Sequence, residues 1–398
     1  MTLSSPASRG VVTAYDVVCF SHLRWDFVFQ RPQHLMSRFA RDSRVFFVEE
    51  PFFDADVDRI DVTPDGQVYR LVPHLANSRD GDIQDRLRVL LADVLERYSV
   101  HSYINWFYTP MMLDLSEGMS PRAVIYDCMD ELSGFRGAPT ELLEREGRLF
   151  DRADLVFTGG RSLYEAKRAR HRSVHAFPSS VDVDHFASAR DIKGDADAHQ
   201  DIPHPRIGFV GVIDERMDLE LLADIAGLKP EWHFVMIGPV VKISESDLPR
   251  KYNIHYLGMQ SYDDLPKYLA GWDAAMMPFA LNDATKFISP TKTPEYLAAG
   301  LGVASTPITD VVTPYGDMGL VHIARTAREF VDALDAAINE DASDRNAKVA
   351  GFLKENSWDK TFAAMSTLID SAVGAGPQPN EVVGGATAPD NGLTLAVA

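Results

Sequence analysis

Lys292 and Glu295 stand about one helical turn apart in the segment S-P-T-K-T-P-E-Y-L-A-A-G, residues 289–300. Thr293 suits a helix N-cap, Pro294 the first helical position and Gly300 the end. That reading puts Glu295 in the first turn and Lys292 just outside it. Backbone N–H groups and a lysine attract phosphate, whereas a carboxylate there repels it. The two oxygens of one carboxylate can instead accept hydrogen bonds from two neighbouring hydroxyls, as in a sugar diol. Phosphate at one end and a diol at the other describe a nucleotide diphosphate. The same residues also suit a capped surface helix in which Glu295 only completes the cap.

A second cation follows the strand pattern R-I-G-F-V-G (206–211), in D-E-R-M-D (214–218). Gly211 lets the backbone approach a ligand, and Arg216 stands at the head of the next helix. Arg216 and Lys292 would neutralise a pyrophosphate from two sides. The plain alternative is a surface ion pair of Arg216 with Glu215 or Asp218. Gly238, before Pro239, is placed to turn the chain beneath a base. A third group, S-H-L-R-W-D-F-V-F-Q-R-P (21–32), gathers His22, Arg24, Trp25, Asp26 and Arg31. An acceptor sugar could stack on Trp25 while Asp26 or His22 accepts a hydroxyl hydrogen bond; packing of Trp25 between domains is the alternative. Asn105 ends another strand pattern and joins this acceptor set. Asp127 and Asp130 fall near the end of the next one, and Asp130 joins Arg216 and Lys292 as a catalytic candidate. No metal triad, H-E-x-x-H or Ser–His–Asp order stands out. Asp182 and Asp184 in D-V-D read as structural, so neither a metal nor a cofactor is expected beside a nucleotide-sugar substrate.

These groups need a frame. Short apolar runs alternate with helical patterns throughout, as parallel strands covered on both faces require. The first series is 15–20, 45–48, 102–107, 123–128, 155–158 and 174–177. The second is 206–211, 233–238, 253–258, 273–279 and 302–306. The expected fold is α/β, with two doubly wound Rossmann-like domains facing across a cleft at the carboxyl ends of their strands. The boundaries read as 1–190 for the acceptor-side domain, 191–205 for a linker and 206–350 for the nucleotide-sugar domain. Residues 351–371 would return to the first domain, and 372–398 would form a disordered tail.

The 398 residues allow two cores, and a net charge of −19 excludes a general nucleic-acid binder. Two cysteines, Cys19 and Cys128, make no disulfide framework. The N-terminus lacks the apolar core of a signal peptide, and no stretch approaches the roughly 20 apolar residues of a spanning helix. A cytoplasmic protein is expected. Arg161, Lys167, Arg168, Arg170 and Arg172 give 161–172 a basic face for weak contact with the inner surface of the cell membrane; a solvated helix is the alternative.

The segment S-P-T-K-T-P-E-Y-L-A-A-G-L-G-V-A-S-T-P resembles the donor signature of retaining glycosyltransferases of GT-B architecture, the GT4-like or "group 1" enzymes. F-P-S-S-V-D-V-D-H-F (177–186) is similar to their interdomain segment and R-I-G-F-V-G-V-I-D-E-R-M-D to their glycine loop. S-H-L-R-W-D-F-V-F-Q-R-P-Q-H-L (21–35) resembles a subgroup of cell-surface polysaccharide synthesis. The resemblance implies that Glu295 holds ribose hydroxyls, that Lys292 binds the diphosphate and that Arg216 replaces a loop cation. It implies a saccharide or lipid-linked acceptor, and retention without a protein nucleophile. Two departures stand out. Phe287 occupies the place of the first glutamate of the usual pair, and Gly211-Val212-Ile213 replaces the common G-R-L. Backbone N–H groups of Ile288 and Ser289 would then recognise the sugar. A non-hydrolysing epimerase would need several acids and histidines around the sugar. A silent nucleotide-sugar binder would bind donor without turnover.

Overall fold

The computed structural model describes residues 15–77 and 82–375. Its first sheet contains β1 (Asp16–Phe20), β2 (Val45–Val48), β3 (Phe52–Ala55), β4 (Arg59–Asp65), β5 (Val68–Ala76), β6 (Tyr103–Phe107), β7 (Val124–Cys128), β8 (Leu155–Thr158) and β9 (Val174–Ala176). The order is β3-β5-β2-β1-β6-β7-β8-β9, and β4 pairs antiparallel with β5 while the other pairings are parallel. The second sheet holds β10 (Arg206–Val210), β11 (His233–Ile237), β12 (Ile254–Gly258), β13 (Ala274–Met277), β14 (Val303–Ser305) and β15 (His322–Ile323). It is parallel throughout, in the order β12-β11-β10-β13-β14-β15. The central strands are apolar on both faces because helices cover both, and Val17, Val18, Cys19 and Phe20 are fully buried. Strand order reverses beside β1 and β6, and again beside β10 and β13. Crevices open at the carboxyl ends of strands at such points, so each domain presents one to the other.

Three boundaries differ from the sequence reading. Val181, Phe186 and Ala189 already belong to the second domain's core, so the chain crosses near Val181 rather than at 190. The expected linker 191–205 is packed down: Arg206 binds Asp195 and the carbonyls of His199 and Ile202, and His199 is fully buried. The closing helix runs Trp358–Ala375, so the segment 372–375 is helical; residues 376–398 of the expected tail lie outside the described residues. That helix does return to the first domain. Trp358, Met365 and Ile369 enter its core, and Trp358 stacks on His34 with ring centroids 4.6 Å apart. Arg38 and Asp359 pair at 2.9 Å alongside.

Strands β3, β4 and β5 fall in a stretch, 52–76, for which no strands were expected. Alternating I-D-V-T and the Asp65-Gly66 turn, with Gly66 at φ +60°, are their local signal.

Candidate functional site: a charged cleft between the domains

A cavity of about 480 Å³ lies between the two sheets' carboxyl ends. The first domain contributes Phe29, Arg31 and Asp130, and the second contributes Gly211, Arg216 and Lys292, with Glu295 beyond. Contacts across the cleft hold the domains together. Ser162 N–H donates to Asp310 at 3.0 Å, Arg136 N–H donates to Glu215 at 3.1 Å, and Phe29 stacks on Tyr262 at 4.3 Å.

Close backbone packing builds the second wall. Gly211 follows β10 at φ +151°, and a Cβ there would overlap Cε of Lys292. Gly238 follows β11 at φ +140°, and a Cβ there would overlap the Gly211 carbonyl oxygen. Both positions therefore require glycine, and together they seat the Lys292 stem against the turn. The helix is Lys292–Ala298, with Thr291 at its N-cap and Lys292 its first residue. Thr293 is thus inside the helix and fully buried, a correction to its expected capping role. Pro294 is tolerated because first-turn N–H groups lack helical partners anyway. With seven residues the helix has little macrodipole, so the positive field must come from the side chains.

Arg216 lies in the loop before the helix Leu219–Leu228 and pairs with neither Glu215 nor Asp218. Buried Asp214 grips it instead, with Nε 3.0 Å and Nη2 2.8 Å from the carboxylate oxygens. Burial works against the guanidinium charge, but the Asp214 bonds and the Asp214 and Asp130 charges outweigh it and hold the pKa above its ordinary value. Lys292 forms no ion pair among the described residues. Burial depresses its pKa, with Arg216 adding to the effect and Glu295 opposing it. Burial likewise raises the Glu295 carboxyl against the pull of Lys292, and raises Asp130 against Arg216 and Arg31. The groups share a low-dielectric cleft, where a polyanion would find two cations already in place. Asp214 was the missed member, visible only as a carboxylate two residues from Arg216.

Position 287 does not line this cavity. Phe287 packs on the first domain's core, and the Lys286 ammonium sits 5.2 Å from its ring centre. Ile288 N–H is directed to the Thr285 carbonyl at 3.5 Å, which leaves it poorly available for a sugar. Ser289 lines the cavity and accepts from Ser179 N–H at 3.3 Å.

The first domain's expected acceptor residues are mostly committed to one another. Arg24 pairs with Glu49 at 2.9 Å, and Asp26 pairs with Arg70. Trp25 is buried against Phe47, and its indole N–H donates to Asp65 at 3.2 Å. Trp25 and Asp26 border the cavity; Arg24, His22 and Asn105 do not. Asn105 is buried within β6 beside Met119, which removes it from the acceptor set. His22 keeps an unpartnered Nδ1, and burial, with Lys242 nearby, pushes its pKa down to about 4. Arg31 joins Asp127 through bonds of 2.8–3.1 Å, both fully buried, and donates to the Phe177 carbonyl.

Of the expected basic face at 161–172, Arg161, Arg168, Arg170 and Arg172 are exposed, but Lys167 is not part of it. The helix ends at Lys167, which is buried and bonds Glu131 and Glu146 at 2.7 Å each. Arg170 also binds Glu146, and Arg168 binds Glu165. Lys167 thereby anchors the loop after β7, where Glu131 directly follows Asp130. No helix among the described residues is long and apolar enough to cross a membrane. Asp182 of D-V-D caps the helix Val183–Ala187, accepting from His185 N–H.

The two facing Rossmann-like domains and the returning C-terminal helix are the GT-B fold. Sucrose-phosphate synthase from Thermosynechococcus elongatus superposes with a TM-score of 0.64 at 12% identity, covering 91% of this chain and 100% of that one. A trehalose-phosphate synthase from Burkholderia xenovorans, in complex with glucose-6-phosphate, gives 0.63 at 12% identity over 89% and 100% of the two chains. An Anabaena protein, HepE, in complex with UDP and glucose, gives 0.63 at 12% identity over 90% and 100%. In sequence, the chain is similar to TuaH of Bacillus subtilis strain 168, named for a provisional glycosyltransferase role in teichuronic acid biosynthesis. The two are 28% identical over 217 residues, 50% of this chain and 54% of that protein. The match thus spans about half the length of that relative. No family model matches the chain.

Proposed function

We infer that this chain is a retaining glycosyltransferase, moving a sugar from a nucleotide diphosphate sugar to a saccharide or lipid-linked acceptor in cell-surface glycan synthesis. One observation carries the reading: Gly211 is cut away to admit Lys292 beside an Asp214-held Arg216, in a cleft between Rossmann-like domains. The named activities of TuaH and of the solved structures with this fold support it.

In this reading Lys292 and Arg216 hold the diphosphate, and Glu295 accepts from the two ribose hydroxyls. Gly238 lets the chain turn beneath the base. The acceptor hydroxyl attacks the anomeric carbon from the leaving-group face as the carbon–oxygen bond to the diphosphate breaks. Its proton passes to the departing phosphate oxygen, and the bonding pair stays with that oxygen. The cation pair stabilises the growing charge more than the ground state. Asp130 faces the same space from the first domain and accepts a hydroxyl of the bound sugar.

Purified protein should be assayed with a panel of UDP-, GDP-, ADP- and dTDP-sugars for release of nucleoside diphosphate. The expected result is release from donors of one base, lost in Lys292→Ala. Donor binding without turnover would mark a silent binder, an epimerised sugar an epimerase, and neither binding nor turnover with any donor would reject the site.

A further inference from the structure

The cavity has a charged end and an uncharged one. At the charged end, Asp130 lies within reach of the Arg216, Arg31 and Lys292 charges. The uncharged end is the loop after β12, where Met259, Gln260, Ser261 and Tyr262 line the cavity. Burial and then the charge of Glu295 raise the Tyr262 phenol pKa, which puts this loop beside Glu295. A ligand with phosphate on Lys292 and ribose on Glu295 therefore carries its base toward the 259–262 loop.

The first domain meets the same loop through the segment before the helix Arg31–Phe39. Arg31 itself is tied to Asp127, near the charged end. Two residues back, Phe29 stacks on Tyr262 at 4.3 Å and meets the His34 ring edge-on at 4.7 Å. Phe27 is two residues further back, no more than about 7 Å of chain away. It lines the cavity as well, so residues 31, 29 and 27 run from the charged end toward the uncharged one. Phe27 is 39% exposed and packs in neither domain's core. Met259, on the second domain's wall, is 52% exposed and also outside the core. One exposed apolar side chain is ordinary; two from different domains, facing one ligand cavity, are not. The backbone around Phe27 is held in place. Trp25 N–H donates to Glu49 at 2.9 Å, the Trp25 carbonyl accepts from Gln33 at 2.9 Å, and Phe27 N–H donates to the Arg24 carbonyl at 3.3 Å. A ligand that meets this ring has little loop to order first.

The polar side chains of the opposite loop are engaged within it. Gln260 donates to the Leu257 carbonyl at 2.8 Å and accepts from the Tyr268 hydroxyl at 2.7 Å, and the Ser261 hydroxyl donates to Asp264 at 2.7 Å. What this end offers a base is therefore apolar surface on either side of its flat faces. An aromatic ring grips a heterocycle through just that surface, and a methionine thioether packs well on the other face. We propose that Phe27 of the first domain stacks on the donor's nucleobase, which lies between its ring and Met259 of the second domain. This rests on the nucleotide-sugar reading of the cavity and adds that the base is held by both domains, so that donor binding draws them together.

Calorimetry with UDP, GDP, ADP, dTDP and inorganic pyrophosphate tests it. Phe27→Ala should weaken the preferred nucleoside diphosphate at least about tenfold, the order of one base–aromatic stack, and leave pyrophosphate affinity unchanged. Phe27→Trp should keep or raise the affinity, whereas Phe27→Leu, apolar but without a ring, should behave like Phe27→Ala. All three variants should keep the wild-type melting temperature, since Phe27 packs in neither core. If Phe27→Ala or Phe27→Leu binds the nucleoside diphosphate as tightly as wild type, the stack is overturned. A loss of acceptor turnover in Phe27→Ala at unchanged nucleoside diphosphate affinity would also overturn it, and would give the ring to the acceptor. Wild-type protein that binds none of the four nucleoside diphosphates would remove the nucleotide reading itself, and the stack with it.

Discussion

After β1, the first domain uses Arg24, Asp26 and Arg31 to bind partners within its own body, Glu49, Arg70 and Asp127. After β10, the second domain clamps Arg216 with one carboxylate, and Lys292, first residue of the helix that follows β13, has no ion pair among the described residues; both line the cavity. The two loops occupy equivalent places in similar folds. Their difference lies in Lys292: Arg216 is offset by Asp214 as Arg31 is by Asp127, but Lys292 adds a buried cation with no ion pair among the described residues. The first loop is a scaffold. The second is poised for a polyanion.

Breaking the scaffold should cost most. Arg31→Met leaves Asp127 buried and unpaired, and should remove about 3–5 kcal/mol from unfolding stability measured by urea denaturation. A loss below about 1 kcal/mol would show that Asp127 does not depend on Arg31. Gly211→Ala should do its damage at the other loop. It strains a φ of +151° and displaces Lys292, at about 1–3 kcal/mol of stability, with at least about tenfold weaker donor binding. Unchanged donor affinity in that variant would separate the glycine turn from the ligand.

The two effects of pH should run in opposite directions. Burial raises the Glu295 and Asp130 carboxyls above their ordinary values. Each such group gains protons on folding, so the empty protein should gain stability as pH falls through that raised range. Donor affinity should fall over the same range, because protonated Glu295 accepts poorly. Calorimetric titration across pH checks this, and Glu295→Gln should flatten the affinity profile. The smallest effect belongs to Trp25→Phe, which removes the bond to Asp65 and should cost about 1 kcal/mol with donor affinity unchanged. A large loss of acceptor turnover there would restore Trp25 to the acceptor site.

How much of this was legible depended on distance along the chain. The central strands were readable because burial on both faces leaves continuous apolar runs. That Lys292, Glu295 and Arg216 would meet in one cleft was readable because their relation to glycines and helix starts is local. Lys167 was not: its partners Glu131 and Glu146 come from other elements, and from sequence alone it looked like one cation in a basic face. The partners of the loop after β1 were hidden in the same way, since Glu49, Asp65 and Arg70, which bind its polar groups, come from β2 onward. Strands β3, β4 and β5 carried their own signal in alternation and an Asp-Gly turn, which a search for apolar runs passes over.

The central claim is that one helix start holds diphosphate through Lys292 and ribose through Glu295. Calorimetry with a nucleoside and its diphosphate, chosen by the base that the donor panel identifies, separates the two roles. Lys292→Ala should weaken the diphosphate at least about tenfold and leave the nucleoside nearly unchanged. Glu295→Gln, losing a charge-assisted bond of about 1.5–3 kcal/mol, should weaken both ligands alike. If Lys292→Ala binds the diphosphate as tightly as wild type, or Glu295→Gln spares the nucleoside, the assignment is wrong.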